Sequence, residues 1–420
     1  MSRIGQPHAE ESEPSLPCLT EDLPGIGGVI KARQEDFVVE ELPLYPASGE
    51  GTHVYAYIEK RGISTADAIA RLARALGRRR NEIGFAGLKD AKAVTRQWIS
   101  AEHIETEALL RVDIPHVKVL EVTRHTNKIR LGHLEGNRFR LRIRDFDGPS
   151  KQALQRVEQV LSVLVSRGVP NFFGPQRFGS RRDGHLLGRA IVTEQREEFL
   201  AAFLGRPAGH ENPQILSARQ WYEKGDYERA YLAWPRNYIE QRRALKALMT
   251  TGGRKRAFQA VDLNSKRLFV SAYQSSIFNA VLAARMPLID RLLLGDMAYL
   301  HAKGACFRVE DPQVEQPRCD AWEISPTGPI FGRRMTELTG PAGEIEQPFL
   351  EETRPGAGGF KRLDKNLGKG ERRPLRFRPR NVSTSTGEDD LGPYIELRFE
   401  LPPGCYATVL VREITKGTVQ

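Results

Sequence analysis

The most regular alternation of apolar and polar positions in the chain runs from Asn137 to Arg144. Phe139, Leu141 and Ile143 fall on one face of the predicted strand, and arginines at positions 138, 140, 142 and 144 fall on the other. Four like charges in register repel one another, so the pattern favours an anion beside that face. Shorter alternations predict strands between residues 28 and 40, with a turn at 34–36, and further strands at 95–100 and 395–399.

Helical spacing replaces this alternation in several other segments. Ser64 is a predicted N-cap with Asp67 three residues on, and apolar residues then follow at helical spacing until Gly77 ends the helix. Ser150 opens a second amphipathic helix that ends at Gly168. The central part of the chain is mostly helical, with predicted helices at His185–Leu204, Ala218–Trp234, Tyr238–Met249 and Val270–Met286.

The order of these elements is β-rich, then helical, then β-rich again. It predicts an α+β protein in which a domain with a mixed or antiparallel sheet is interrupted by an α-rich insertion, so that its two β-rich ends meet in one sheet. We expect a mobile tail at 1–22, the discontinuous domain at 23–166 and 353–420, and the insertion at 167–352. Residues 354–390 are rich in Gly, Pro and Ser, which is typical of a loop or linker.

The charge balance indicates a polyanion as partner. The 420 residues include 63 lysines and arginines against 53 aspartates and glutamates, which gives a net charge of +10 and favours nucleic acid. Nine basic residues lie between Lys361 and Arg380. Together with the arginine strand, this stretch predicts a track for RNA whose phosphate contacts would make binding dependent on salt.

Composition also argues against several classes of function. No apolar run approaches the roughly 18 residues needed to span a membrane, and the polar start of the chain does not resemble a secretory signal. The four cysteines are scattered without a C-x-x-C pair, which argues against a zinc site or a disulfide framework and favours a reducing cytoplasm. Because the chain also lacks a phosphate-binding loop motif and an H-E-x-x-H run, we expect no metal and no other cofactor.

The run from Gly84 to Gln97 carries the strongest chemical signal. A predicted strand ends at Asp90, which lies between Lys89 and Lys92 where a polar loop begins. A carboxylate flanked by cations stays ionised, which suits a nucleophile or a base that acts on an anionic polymer. The structural alternative is an aspartate that makes an Asx turn at the end of a strand.

The pattern G-x-K-D-x-x-A-x-T-x-Q in this run resembles the signature of the TruD family of pseudouridine synthases. Four further segments are similar to family motifs, so the resemblance extends from about Gly28 to Glu413. They are Lys31 with Glu35–Glu40, Asn137–Phe139, the block Gly168–Gly179 and the segment Leu401–Thr408. The resemblance implies a pseudouridine synthase core with a family-specific insertion, and isomerisation of uridine 13 in the D arm of tRNA.

The resemblance also implies roles for individual residues. Asp90 corresponds to the catalytic aspartate, and Lys31 to a lysine placed near it. Phe37, Asn137, Phe139 and Tyr406 correspond to positions that contact the target uridine, although each aromatic residue could instead belong to the core. We further expect the RNA backbone to contact four arginines, namely Arg140, Arg142, Arg177 and Arg181.

Three points remain open at this level. The Gly168–Gly179 block fits a hinge between domains as well as it fits a site. A non-catalytic RNA-binding protein with the same fold is the main alternative function, and a metal-dependent nuclease is a weaker one because the nine histidines are scattered. We expect a monomer, and the residues alone leave three actions open for Asp90: attack on C1′, attack on C6, or removal of the C2′ proton.

Overall fold

The computed structural model describes residues 16–209, 211–353, 359–363 and 367–417. Its strands are β1 (Gly27–Ile30), β2 (Phe37–Pro43), β3 (His53–Arg61), β4 (Gly84–Phe85), β5 (Val94–Glu102), β6 (Val117–His125), β7 (Leu134–Phe146), β8 (Val169–Pro170), β9 (Met297–Leu300), β10 (Ala305–Arg308), β11 (Ile324–Ile330), β12 (Glu371–Pro374), β13 (Arg376–Phe377), β14 (Arg380–Asp389) and β15 (Gly392–Leu401). Its α-helices are α1 (Thr65–Ala75), α2 (Thr106–Leu110), α3 (Ser150–Arg167), α4 (Gly184–Val192), α5 (Arg196–Leu204), α6 (Pro213–Glu223), α7 (Tyr227–Ala233), α8 (Ile239–Thr251), α9 (Arg254–Gln259), α10 (Leu263–Arg285), α11 (Pro312–Asp320), α12 (Gly340–Glu352) and α13 (Ala407–Thr415).

The chain divides into two compact units. The first, here called the sheet unit, comprises residues 17–171 and 377–420, and the second, the helical unit, comprises residues 172–376. The sheet unit is therefore discontinuous in sequence. The described residues between 353 and 376, which the sequence assigned to the interrupted domain, fall in the helical unit.

A nine-stranded mixed sheet forms the centre of the sheet unit. Its strand order is β14-β15-β7-β2-β5-β3-β6, with β1 paired to β7 and β4 paired to β5. The β2–β5 pair is parallel and the other pairs are antiparallel. Because the two segments of this unit meet where β15 pairs with β7, the two β-rich ends of the chain share one sheet, as the sequence predicted.

Amphipathic helices cover this sheet where the sequence predicted them. Ser64 caps α1 by accepting a hydrogen bond at Oγ from the backbone N–H of Asp67, at 3.1 Å. The apolar face of α1 then packs with Val54, Ala56 and Ile58 of β3 in one core cluster. The long helix α3 ends at Gly168, whose φ of 99° is a conformation that favours glycine.

The helical unit holds α4 to α12 and a small sheet of order β10-β9-β11-β12. Its core gathers around the 23-residue helix α10 and includes Phe199, Trp234 and Tyr273. The predicted helix His185–Leu204 is two helices, because the chain turns between α4 and α5 at Glu194, where φ is 57°. With the mixed sheet of the first unit, this makes the protein α+β, which confirms the predicted fold class.

Three local predictions were wrong. Residues 16–22 are not a mobile tail, because Thr20 is fully buried and hydrogen-bonded to Glu413, while residues 1–15 lie outside the described part. Much of 354–390 is not a loop, because it contributes β12, β13 and β14, while 354–358 and 364–366 are outside the described residues. The strand before Asp90 is only the two residues of β4, so Asp90 lies in a loop.

Candidate active site

Asp90 lies in the loop that joins β4 to β5, with about a quarter of its side chain exposed (24%). Its Oδ2 accepts a hydrogen bond from Nζ of Lys31 at 2.5 Å. Its Oδ1 accepts a second one from the backbone N–H of Lys92 at 2.9 Å. Both carboxylate oxygens are therefore fixed in direction, and the group is still accessible to a ligand.

Lys31 reaches Asp90 from the end of β1. Its φ of 61° places its backbone in the left-handed region, which is uncommon for a residue other than glycine. Its Nζ lies 4.3 Å from the centroid of the Phe37 ring, a distance that permits a cation–π contact. The structure thus brings together three of the residues that the sequence singled out, namely Lys31, Phe37 and Asp90.

The surroundings of Asp90 favour its charged form. Burial acts to raise the pKa of this carboxyl, but the hydrogen bond and charge of Lys31, the N–H of Lys92 and the charge of Lys60 together lower it below its ordinary value. The carboxylate is therefore ionised at neutral pH. An ionised carboxylate is the form required of a nucleophile or a general base.

Lys60 holds the backbone of the loop that carries Asp90, and it was not identified from the sequence. It is fully buried in β3, and its Nζ donates to the backbone carbonyl oxygens of Asp90 and Ile63, each at 2.7 Å. Desolvation lowers the pKa of Lys60 to about 8, although the negative charge of Asp90 acts to raise it. Nothing in the local sequence distinguishes this lysine from a surface lysine at the end of a strand.

A buried ion pair holds the residue before Asp90. Nζ of Lys89 lies 2.6 Å from Oε2 of Glu41, and the two side chains are 4% and 1% exposed. Burial raises the pKa of the Glu41 carboxyl, although the charge of Lys89 opposes the shift. The backbone N–H of Lys89 also donates to Oγ1 of Thr65 at 2.9 Å, so both the side chain and the backbone of the residue before Asp90 are fixed.

The aromatic residues of the predicted uridine site form a buried row. The Phe37 and Phe139 rings meet edge to face with centroids 6.3 Å apart, and Phe139 stacks on Phe399 at 5.3 Å. Phe37 is 4% exposed and Phe139 is 7% exposed. Phe399 was not among the predicted site residues, and it joins the row because it is the register partner of Phe139 on β15.

Asn137 lies on β7 opposite Glu41 of β2 and Leu401 of β15. Its Oδ1 is buried and has no hydrogen-bond partner among the residues that the structure describes. Such a group normally finds a partner, so it is suited to accept a hydrogen bond from a ligand. Tyr406 is partly buried and directly precedes α13, five residues beyond the Leu401 that pairs with Asn137.

The arginines of β7 face acidic side chains of neighbouring strands. Arg142 donates to Glu396 at 3.0 Å and to Asp389 at 3.2 Å, and Arg140 lies 3.9 Å from Glu396. The anion that the arginine pattern predicted is thus supplied by carboxylates of β14 and β15. The geometry gives no support to Arg142 as an RNA contact, since its side chain is only 16% exposed.

The other two predicted RNA contacts lie in the helical unit. Arg177 donates from Nε to Oγ of Ser275 at 3.0 Å and from Nη2 to Ser271. Arg181 pairs with Asp183 at 3.1 Å and donates to the carbonyl oxygen of Arg206 at 3.0 Å. Both guanidinium groups are thus engaged inside their own unit.

Groups that could hold a metal ion and helices that could span a membrane are both absent from the described residues. Among the described residues, no group of three or more histidine, cysteine, aspartate or glutamate side chains is arranged to hold a metal ion. Within the same residues, no helix is long and apolar enough to cross a membrane.

Comparison with known proteins identifies the family. The family model for tRNA pseudouridine synthase D, TruD, matches residues 15–414. A tRNA pseudouridine synthase D from Geobacter metallireducens is 43% identical over 406 residues, covering 95% of this chain and 97% of its own. One from Syntrophotalea carbinolica is 41% identical over 402 residues, covering 96% and 99% of the two chains.

A solved structure gives the same answer for the fold. The crystal structure of a tRNA pseudouridine synthase D from Methanosarcina mazei matches with a TM-score of 0.81 and 28% identity, over 94% of this chain and 95% of that one. The resemblance seen in the sequence motifs is confirmed over nearly the whole chain. This protein belongs to the TruD family of tRNA pseudouridine synthases, enzymes that isomerise uridine in RNA to pseudouridine.

Proposed function

We propose that Asp90 is the catalytic carboxylate of this enzyme and that its target is uridine 13 in the D arm of tRNA. The observation that carries the assignment is the Asp90 side chain itself. It is accessible, it is ionised, and both of its oxygens are oriented by Lys31 and Lys92. The position in tRNA rests on the likeness to the family alone.

The reaction breaks the N1–C1′ bond, turns the detached uracil and joins C5 to C1′. No net oxidation occurs, and the proton on C5 leaves. An ionised Asp90 can start this sequence by attacking C1′, by attacking C6 or by removing the C2′ proton. In each case Lys31 keeps the carboxylate charged until the uridine arrives.

The residues around Asp90 supply the remaining needs of the reaction. The orphaned Oδ1 of Asn137 is suited to accept a hydrogen bond from the N3–H of uracil. The aromatic row formed by Phe37, Phe139 and Phe399 gives an apolar wall against which a loose base can turn. Tyr406 is proposed as a second contact for the base, from the turn after β15.

A uridine that is folded into tRNA must be extruded before it can reach Asp90, which costs a few kcal/mol of unstacking. We propose that the protein recognises the surrounding RNA by its shape and backbone. We further propose that it works as a monomer in the cytoplasm, where tRNA is available.

The test is release of tritium from tRNA transcripts labelled at uridine C5. Wild-type protein should release tritium, whereas Asp90→Asn should bind the same tRNA and release none. Asp113→Asn, which changes an exposed aspartate of the same unit, is the matched control and should behave as wild type. A transcript with cytidine at position 13 should remove the release if the assigned position is right.

Other results would point elsewhere. Release by Asp90→Asn at the wild-type rate would overturn the catalytic assignment but keep the enzyme class. Tight binding without release by wild type, on every tRNA transcript tried, would favour the alternative of a non-catalytic RNA-binding protein.

A further inference from the structure

The two most exposed large apolar side chains among the described residues lie beside the proposed active site. Leu88 is 73% exposed and Leu131 is 71% exposed. Leu88 precedes Asp90 by two residues. Single exposed leucines are common on protein surfaces and need no explanation. Here, however, the two large apolar side chains with the highest exposed fractions lie on neighbouring loops.

A hydrogen bond joins these two loops. The backbone N–H of Gly132, next to Leu131, donates to the carbonyl oxygen of Ala86 at 2.9 Å. The second loop is itself attached to the sheet, because the N–H of Ile129 donates to Oγ of Ser100 at 2.9 Å. The two exposed leucines therefore lie on two loops that are joined by a backbone hydrogen bond, and together they are here called the apolar rim.

Leu88 is exposed although the backbone on either side of it is fixed. Gln97 donates from Nε2 to the carbonyl oxygen of Gly87 at 3.3 Å, and the N–H of Lys89 donates to Oγ1 of Thr65 at 2.9 Å. Ala86 is buried. A leucine held in water forgoes about 1.5–3 kcal/mol of burial, and here the fixed backbone holds it there, poised for a surface that is absent from the free protein.

We propose that Leu88 is a positioning residue that inserts into the base stack of the RNA, into the space vacated by the extruded uridine. This inference rests on the proposed function, in which Asp90 acts on an extruded base. Apolar side chains that insert between bases stabilise an unstacked nucleic acid. Two residues of extended chain span at most about 7 Å, so Leu88 would occupy the gap while Asp90 faces the nucleotide that left it.

The charges around the apolar rim fit an RNA strand. Lys92 follows Asp90 and Arg130 precedes Leu131, and both side chains are exposed. These cations can contact the phosphates on either side of an extruded nucleotide. Exposed cations on both loops, together with the exposed leucines, fit insertion of an apolar side chain while the backbone of the RNA is held.

The test compares Leu88→Ala, Leu88→Met and wild type with a tRNA transcript that carries 2-aminopurine next to the target uridine. Single-turnover formation of pseudouridine is measured with saturating enzyme, and 2-aminopurine fluorescence reports unstacking. Leu88→Ala should lower both the single-turnover rate, by about tenfold or more, and the rise in fluorescence. Leu88→Met keeps a large apolar side chain and should restore both.

Leu110→Ala is the matched control, because Leu110 is a leucine of the same unit that is 59% exposed. It should leave rate and fluorescence unchanged. Unchanged values in Leu88→Ala would overturn the proposal. So would weaker tRNA binding with an unchanged rate at saturation, since Leu88 would then be only a surface contact.

The failure of the proposed function would be visible separately. Asp90→Asn, measured in parallel, should still raise the 2-aminopurine fluorescence while it forms no pseudouridine. Full activity of Asp90→Asn would refute the catalytic assignment, whereas the fluorescence of the Leu88 variants would still report whether the leucine opens the stack.

Discussion

At the scale of single residues, the main feature of this protein is how Lys31 is held. The side chain comes off a left-handed backbone position, passes over the Phe37 ring and ends on Asp90. Lys60 and the Lys89–Glu41 pair then fix the backbone around the aspartate. The carboxylate is thus charged and oriented before any RNA binds, so the catalytic role proposed for Asp90 would need little reorganisation of this group.

Lys31→Met should move the acid limb of the activity profile to higher pH. Lys31 is the largest of the influences that lower the pKa of Asp90, so without it burial is less opposed and the pKa rises. A carboxylate with a higher pKa loses its charge at a higher pH, and activity falls earlier on acidification. Single-turnover rates from about pH 3 to about pH 8, a range that includes the ordinary aspartate pKa of about 3.9, would measure the shift.

Lys31→Arg serves as the control for that experiment because it retains a cation beside Asp90. Its acid limb should stay close to that of the wild type. An acid limb of Lys31→Met at the wild-type position would show that Lys31 does not set the ionisation of Asp90.

Asp90 and Lys31 are singled out in the sequence only by the family motifs, and their catalytic roles stay predictions. Lys60 and the Lys89–Glu41 pair could not be predicted, because burial of a lysine depends on strands that are distant in sequence. The buried state of Phe139 was visible as an alternative, since an apolar residue in an alternating strand is suited either to a core or to a ligand.

At the scale of elements, β7 shows what alternation predicts and what it leaves out. The pattern placed the strand and the arginine face correctly, and the strand is longer at both ends, from Leu134 to Phe146. The acidic partners of the arginine face could not be predicted from the alternation in β7. Asp389 and Glu396 come from the distant hairpin of β14 and β15, and β14 has no apolar alternation of its own by which to recognise it.

Arg144→Met should destabilise the sheet unit by about 3 kcal/mol or more. The guanidinium is 2% exposed and donates two hydrogen bonds to Asp36, at 2.7 and 2.8 Å, and two to Asp389, both at 2.8 Å. Because Asp36 is fully buried, the substitution removes both side-chain hydrogen bonds of its carboxylate to Arg144 and leaves it only the more distant Arg33, whose Nε lies 3.7 Å away. Urea unfolding followed by circular dichroism would measure the loss.

The same strand offers a control in Arg138→Met. Arg138 is 54% exposed and pairs with Glu400 at 2.8 Å. An exposed pair of this kind contributes at most about 1 kcal/mol. Equal losses in the two variants would contradict the buried network as the source of stability.

At the scale of the whole molecule, the two segments of the sheet unit are joined by more than the sheet. Glu413 of α13 is fully buried and accepts hydrogen bonds from the N–H groups of Leu19 and Thr20, at 2.8 and 3.0 Å, and from Oγ1 of Thr20 at 2.7 Å. The N–H of Ile26 donates to the carbonyl oxygen of Ile414 at 3.1 Å. Residues 19–26 are thus part of the folded unit through its last helix.

Glu413→Ala should cost about 2–3 kcal/mol and loosen both segments together, because it removes the acceptor of three buried donors. Amide exchange of Thr20 should speed up by more than that of residues in the centre of the sheet. Glu135→Ala, at a carboxylate that is 62% exposed, is the control and should change neither. Unaltered exchange at Thr20 in Glu413→Ala would contradict this anchoring role.

The two ends of the predicted insertion rest on sequence signals of different quality. The change of texture after Gly168 predicts that it begins at residue 167, and the helical unit begins at Phe172. The end was misjudged, because the Gly- and Arg-rich residues before β14 have the composition of a linker. One of their strands, β12, is specified by pairing with β11, which no local pattern reveals.

The pairing of β7 with β15 also determines when the sheet can be completed during synthesis of the chain. Arg138 and its partner Glu400 are 262 residues apart, and the helical unit is translated between them. At a translation rate of roughly 5–20 residues per second, Asn137 and Phe139 of β7 have to wait for β15 for on the order of ten seconds to a minute on the ribosome. A nascent chain can form the loop of Asp90 during that time, but it cannot complete the aromatic row until Phe399 has been synthesised, so the proposed uridine site would form only after β15 emerges.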